Sequence, residues 1–71
     1  MSAATIGTIT NINADNWLVK ERNGNILGSV TAPPGDAATA LEGAVAHFTR
    51  VGITGEFTLV RTAVGVYSVR R

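Results

Sequence analysis

The sequence predicts a small all-β domain, in which five short antiparallel strands close into a barrel and one helical turn interrupts them. Two Asn- or Gly-containing hairpin signals separate β-branched segments, and a Pro-Pro-Gly break divides the chain near its middle. An antiparallel sheet this small, with apolar residues on both faces, removes its edges by curling closed. The 71 residues make one domain, because two cores do not fit in so short a chain.

The first strand is expected over Thr5–Ile12, which is rich in β-branched residues. Ile6 and Ile12 fall on one side under period two and Ile9 falls on the other, so we expect a bulge near Gly7. The following residues 13–16, Asn-Ala-Asp-Asn, are typical of a turn.

Asn23-Gly24 between two strand-like segments predicts a hairpin with a two-residue type I′ turn. That register pairs Arg22 with Asn25, Glu21 with Ile26, Val19 with Gly28 and Trp17 with Val30. One face of the hairpin, a wall of the core, then holds Trp17, Val19, Ile26 and Val30. The other holds Leu18, Lys20, Arg22, Leu27 and Ser29.

The region after Pro33-Pro34-Gly35 has two interpretations. Asp36 is a good helix N-cap, and residues at helical spacing (Ala38, Leu41, Val45, Phe48) would carry a helix to Arg50 and end it at Gly52. Gly43 would weaken that helix by roughly 1 kcal/mol. The favoured interpretation is a short helical turn ending at Gly43 and a strand over residues 44–51, in which Val45, His47, Thr49 and Val51 alternate with Ala46, Phe48 and Arg50.

A second hairpin is expected at the end of the chain, where residues 56–61 and 66–71 flank Thr62-Ala63-Val64-Gly65. Its register places Val60 with Tyr67 on one face. The other face takes Leu59, Arg61, Val66 and Ser68.

Composition favours a protein contact. Only 15% of the residues are charged, against about 25% in an ordinary soluble domain, while 45% are hydrophobic. So small a core cannot hold all of them, and exposed apolar patches mark protein contacts. Met1–Thr10 has no signal-peptide pattern and no segment is long enough to span a membrane, so we expect a cytoplasmic or virion protein.

Catalysis and cofactors are not expected. The chain has no cysteine and one histidine, His47, which excludes thiolate and histidine-cluster metal sites. Its five acids do not pair at a converging spacing, and no Gly-rich phosphate loop is present. We therefore expect a protein that is not an enzyme and has no cofactor.

The order of elements resembles the cold-shock domains, five-stranded barrels of the OB fold. Four short segments carry the likeness: Gly7-Thr8-Ile9, Asn13-Ala14-Asp15, Leu41-Glu42-Gly43 and Val45-Ala46-His47-Phe48. The resemblance covers about residues 5–60 and implies an OB-like barrel. Cold-shock domains stack bases on aromatic residues of the second and third strands, where this chain has only Trp17, so none of the family's binding residues is transferred.

The C-terminal hairpin, Gly55-Glu56-Phe57-Thr58-Leu59-Val60-Arg61 with Gly65-Val66-Tyr67-Ser68-Val69, looks like segments of phage tail and capsid-decoration proteins. The leading hypothesis is therefore a structural protein of a virion or a homo-oligomer. Its expected interface residues are Leu18, Leu27, Phe57, Leu59 and Val66.

The alternative is a module that binds single-stranded nucleic acid. Its expected phosphate contacts are Lys20, Arg22, Arg61, Arg70 and Arg71. A small regulator that docks on a larger enzyme would share the interface features of the leading hypothesis, and sequence does not separate these two.

Overall fold

The computed structural model describes residues 4–71, so the first residues of Met1–Thr10, where no leader pattern was found, lie outside it. Five strands and one helix follow the order β1 (Thr5–Asn13), β2 (Asn16–Glu21), β3 (Ile26–Thr31), α1 (Ala37–Arg50), β4 (Thr58–Ala63) and β5 (Val66–Arg70).

The five strands form one antiparallel sheet in the order β3-β2-β1-β5-β4. After the meander β1-β2-β3 the chain crosses through α1 to β4 at the far edge, and β5 then returns between β4 and β1. The mostly antiparallel β architecture is confirmed. The sheet is not closed, since β3 and β4 remain as its edges. Helix α1 covers one side of the sheet and buries the apolar residues there, which is what closure would otherwise achieve.

The strand predicted over residues 44–51 is wrong, and so is the short helical turn. Residues 37–50 form one helix of 14 residues, the interpretation that the sequence analysis ranked second. Asp36 caps it as expected, because its carboxylate oxygens accept from the Thr39 backbone N–H (3.2 Å) and hydroxyl (2.8 Å). At the other end, Gly52 adopts φ +84° and donates to the Thr49 carbonyl, while Ile53 donates to Phe48 in a Schellman motif.

Gly43 is tolerated inside the helix because it allows close packing on β3. A Cβ built at Gly43 would lie 3.0 Å from Cγ1 of Val30. The glycine brings α1 close to the sheet, and the fully buried Ala40, Ala44 and Phe48 then offset its low helix propensity. The buried stripe differs from the one predicted, since Val45 is 37% exposed.

The first hairpin has the expected partners near its base but another turn. Trp17 faces Val30 and Val19 faces Gly28, as predicted. At the tip only Gly24 has a positive φ; it donates to the Glu21 carbonyl, and the Glu21 N–H donates to Asn25. This is a type I turn followed by a glycine bulge, not the predicted type I′ turn.

Between Val19 and Lys20 the register shifts, because β3 has one more residue there than β2 does. Ile26 therefore faces Lys20 instead of Glu21. Ile26 is consequently 62% exposed and does not form part of the core wall. Leu27, predicted on the outer face, packs against the core.

Strand β1 is irregular in the predicted region. Its pairing with β5 shifts between Thr5 and Gly7, which allows both Ile6 and Ile9 to be buried. A Cβ at Gly7 would lie 2.8 Å from Cε1 of Phe48, so this position needs a glycine. The turn after the strand is confirmed, with Ala14 at φ 37°.

The second hairpin is present, but its register differs from the prediction. Strand β4 runs to Ala63, and a register shift lies between Arg61 and Ala63. Arg61 therefore faces Tyr67 and Val60 faces Ser68, so Val60 lies with Val66 and Ser68, opposite to Leu59 and Arg61.

The core lies between the sheet and α1. Trp17, Ile9, Val19, Phe48 and Val69 are its largest fully buried side chains. The Trp17 indole N–H donates to the Ala32 carbonyl over 3.0 Å, which satisfies the one polar atom of that ring.

Candidate interaction surface

The side of the sheet opposite α1, which we call the open face, has no element packed on it among residues 4–71. Two rows of facing side chains cross all five strands there. One row runs Ile26, Lys20, Thr8, Ser68, Val60. The other runs Ser29, Leu18, Thr10, Val66, Ala63. From standard strand spacing and length the open face measures roughly 20 Å by 20 Å, or about 400 Å².

Its chemistry is neutral to weakly basic. Lys20 is the only charged residue of the two rows, and Arg70 follows on the same side of β5. The five acids lie elsewhere: Glu21 points to the helix side, and Asp15, Asp36, Glu42 and Glu56 lie in turns, loops or the helix. A solvated sheet face is normally polar and charged, whereas this one carries Leu, Val and Ile among Thr and Ser.

The structure brings together two of the five predicted interface residues. Leu18 and Val66 face Thr10 from opposite sides on the open face, and both are half-buried. Leu27, Phe57 and Leu59 pack instead against the core on the helix side; the Phe57 ring centroid lies 5.8 Å from that of Phe48.

Sequence reasoning missed Val60, Ile26, Thr8 and Thr10 as members of the open face. Period-two alternation counted from Leu18 and Val66 gives the threonines once strand pairing is known. It does not give Val60 or Ile26, because a register shift lies in each hairpin.

The predicted phosphate-contacting residues do not form one track. Lys20 and Arg70 lie on the open face, whereas Arg61 lies on the helix side of the edge strand β4. Arg22 and Arg71 line a shallow pocket of about 310 Å³ at one end of the sheet, together with Glu21. The Arg71 guanidinium donates to the Thr54 carbonyl over 2.9 Å, and Nε of Arg70 is buried without a hydrogen-bond partner within residues 4–71.

All four aromatic side chains lie on the helix side. Trp17 and Phe48 are fully buried, and Phe57 and Tyr67 pack against them. The centroids of Trp17 and Tyr67 are 6.0 Å apart. The open face thus presents no ring on which a base could stack.

The edge strand β3 is bonded to the helix by side chains. Nε2 of His47 lies 3.3 Å from the Ser29 carbonyl oxygen, and Arg50 donates to the Leu27 carbonyl over 3.3 Å. Arg50 also contacts Nδ1 of His47 at 2.7 Å, so Nδ1 accepts there and Nε2 carries the proton that bonds Ser29. A Cβ at Gly28 would lie 2.5 Å from Cε1 of His47, so the glycine allows the imidazole to lie flat on the strand.

Within residues 4–71 no three metal-ligating side chains come together. Over the same residues no helix is long and apolar enough to cross a membrane. The side of the sheet opposite α1 is thus an open face bounded by the edge strands β3 and β4.

Comparison with known proteins adds no assignment: no family model, no curated protein and no solved structure matches the chain.

Proposed function

We propose that this chain is a non-enzymatic assembly module whose open face is a protein contact, in a homo-oligomer or in a virion of the capsid-decoration kind. The observation that carries the proposal is the open face itself, a flat surface of about 400 Å² that presents Leu18, Val60 and Val66 and no acid. Half of the ten side chains in its two rows are apolar, and apolar residues grouped on an exposed face often mark a contact.

The size of the core supports the same proposal. A domain of this length buries only about 60% of the surface of its unfolded chain, so partner contacts are a common source of added stability. Among residues 4–71 ten hydrophobic residues are buried, and four of them are alanines that contribute little area each. A partner on the open face would add a second layer to the sheet.

Binding of single-stranded nucleic acid is the second candidate, because Lys20 and Arg70 share the open face with no acid beside them. It ranks lower for two reasons. The aromatic rings lie on the other side of the sheet, and the remaining cations are dispersed. An OB-like barrel would require β3 and β4 to pair and close the sheet, and we propose such a barrel only together with this second candidate.

The test compares two lysine substitutions with matched chemistry. Val66→Lys places a charge in the middle of the open face, where a packed partner would have to bury it. Val64→Lys places it on the second hairpin turn, where Val64 is 86% exposed. Sedimentation velocity from micromolar to millimolar protein should show wild type and Val64→Lys associating, and Val66→Lys associating at least about tenfold more weakly.

Circular dichroism establishes that each variant is folded. A wild type that remains monomeric over the whole range would contradict the homo-oligomer. Parallel anisotropy titrations with labelled single-stranded DNA and RNA address the second candidate, since micromolar binding that weakens steeply with salt would replace the assembly proposal.

A further inference from the structure

The two edges of the sheet are not equivalent. The Ala32 N–H donates to the Asp15 carbonyl, so the backbone groups of Ala32 point toward the neighbouring chain segment. Because inward- and outward-pointing residues alternate along an antiparallel strand, the N–H and C=O of Ser29 on β3 point away from β2. The helix satisfies the Ser29 and Leu27 carbonyls through His47 and Arg50. Covering an edge with a helix is one way in which proteins prevent strand addition.

Strand β4 lacks this helix cover, and its one irregularity, the register shift between Arg61 and Ala63, lies at its C-terminal end. The Ala4–Arg71 bonds and the Asn11-to-Gly65 bond show that odd-numbered residues of β5 bond to β1. Thr58 and Val60 therefore bond to β5, and the N–H and C=O groups of Leu59 and Arg61 point away from the sheet. Within residues 4–71, α1 packs on β3, β1 and β2 rather than on β4.

The sequence of β4 is suited to pairing. Thr58, Val60 and Thr62 are β-branched, Arg61 is the only charge, and the strand contains neither proline nor glycine. Val60 is 39% exposed on the open face.

We propose that β4 pairs antiparallel with β4 of a second copy of this chain, with Val60 on the two-fold axis; the inference rests on the proposed assembly function. Leu59 then faces Arg61 of the second copy, and their outward backbone groups form four hydrogen bonds. Thr58 faces Thr62, a favourable cross-strand pair. A register centred on Arg61 would place two like charges opposite each other, which is destabilising.

This geometry joins the two sheets into one of ten strands. The axis is perpendicular to the sheet, so both helices lie on one side and the two open faces become a continuous surface of about 800 Å². That is the area which each partner of a standard interface contributes. Edge pairing thus creates a contact surface large enough for the proposed function.

Single-cysteine variants test the register, because the chain has no cysteine of its own. Val60 and its copy form a non-hydrogen-bonded pair with Cα atoms about 4.5 Å apart, within the range of a disulfide. Thr62 and its copy are four positions apart along the strands, roughly 13 Å, which a disulfide does not span.

In one thiol–disulfide buffer, Val60→Cys should form a covalent dimer at least about tenfold faster than Thr62→Cys or Val64→Cys. An equimolar mixture of Thr58→Cys and Thr62→Cys should form the mixed dimer at a rate close to that of Val60→Cys. Equal rates for the three single variants, or fastest reaction of Thr62→Cys, would overturn the inference.

A second pair of variants does not depend on cysteine. Arg61→Pro removes one outward N–H without touching the bonds to β5, and should remove the β4-paired step of association in sedimentation while leaving association through the open face. Arg61→Ala, which keeps that N–H, should associate like wild type. If wild type associates while these tests fail, the β4 inference is wrong and the assembly function stands. If wild type is monomeric throughout, the β4 inference and the homo-oligomer fail together.

Discussion

The packing of Gly43 on Val30 gives a quantitative test of the helix that replaced the predicted strand. Helix propensity alone predicts that Gly43→Ala stabilises the protein by about 1 kcal/mol. The added Cβ, however, would lie 3.0 Å from Cγ1 and 3.1 Å from Cβ of Val30. A β-branched side chain has little rotamer freedom with which to move away.

Overpacking a well-packed contact costs about 1–3 kcal/mol, so Gly43→Ala should be neutral or destabilising by up to about 2 kcal/mol. In a Val30→Ala background the two Cγ atoms are gone and only the Cβ contact remains. In that background, the effect of Gly43→Ala on the free energy of unfolding should be more favourable by about 1 kcal/mol than in wild type. The difference between the two backgrounds is the coupling between the helix and β3.

Urea unfolding followed by Trp17 fluorescence and circular dichroism measures these free energies, and unchanged m-values confirm that compactness is preserved. Ala46→Gly, at an exposed position of the same helix, calibrates the propensity alone and should cost about 1 kcal/mol. If Gly43→Ala stabilises both backgrounds equally by the full propensity, α1 does not pack on Val30 as described.

Two further predictions concern the helix cap and the protected edge. Asp36→Ala should lower the free energy of unfolding by about 1 kcal/mol, whereas Asp36→Asn should stay within a few tenths because asparagine also caps; equal losses for both would contradict the capping role. In the Arg61→Pro background, which lacks β4 pairing, the double variant His47→Ala, Arg50→Ala should add concentration-dependent association by freeing the β3 carbonyls. Sedimentation at matched concentrations checks this, and a folded double variant that associates no more than Arg61→Pro would show that these contacts do not block the edge.

The sequence by itself determined the local features that depend on neighbouring residues. Side-chain and backbone preferences that act over a few residues determine three of these features: Asp36 as a cap, the turn after β1 and the position of both hairpins. The bulge near Gly7 was also predictable, because three isoleucines at odd and even positions do not fit one regular strand.

Only the tertiary structure decided the helix, the strand registers and the outward-facing residues. Alternation over residues 44–51 favoured a strand and the propensity cost of Gly43 counted against a helix, whereas the close approach of Val30 explains why a glycine occurs in the helix there. A single added residue in each hairpin moved Ile26 and Val60 to the open face, and alternation in sequence does not locate such a shift. The unequal edges are likewise a tertiary property, because His47 and Arg50 reach the carbonyls of β3 only after α1 has packed on the sheet.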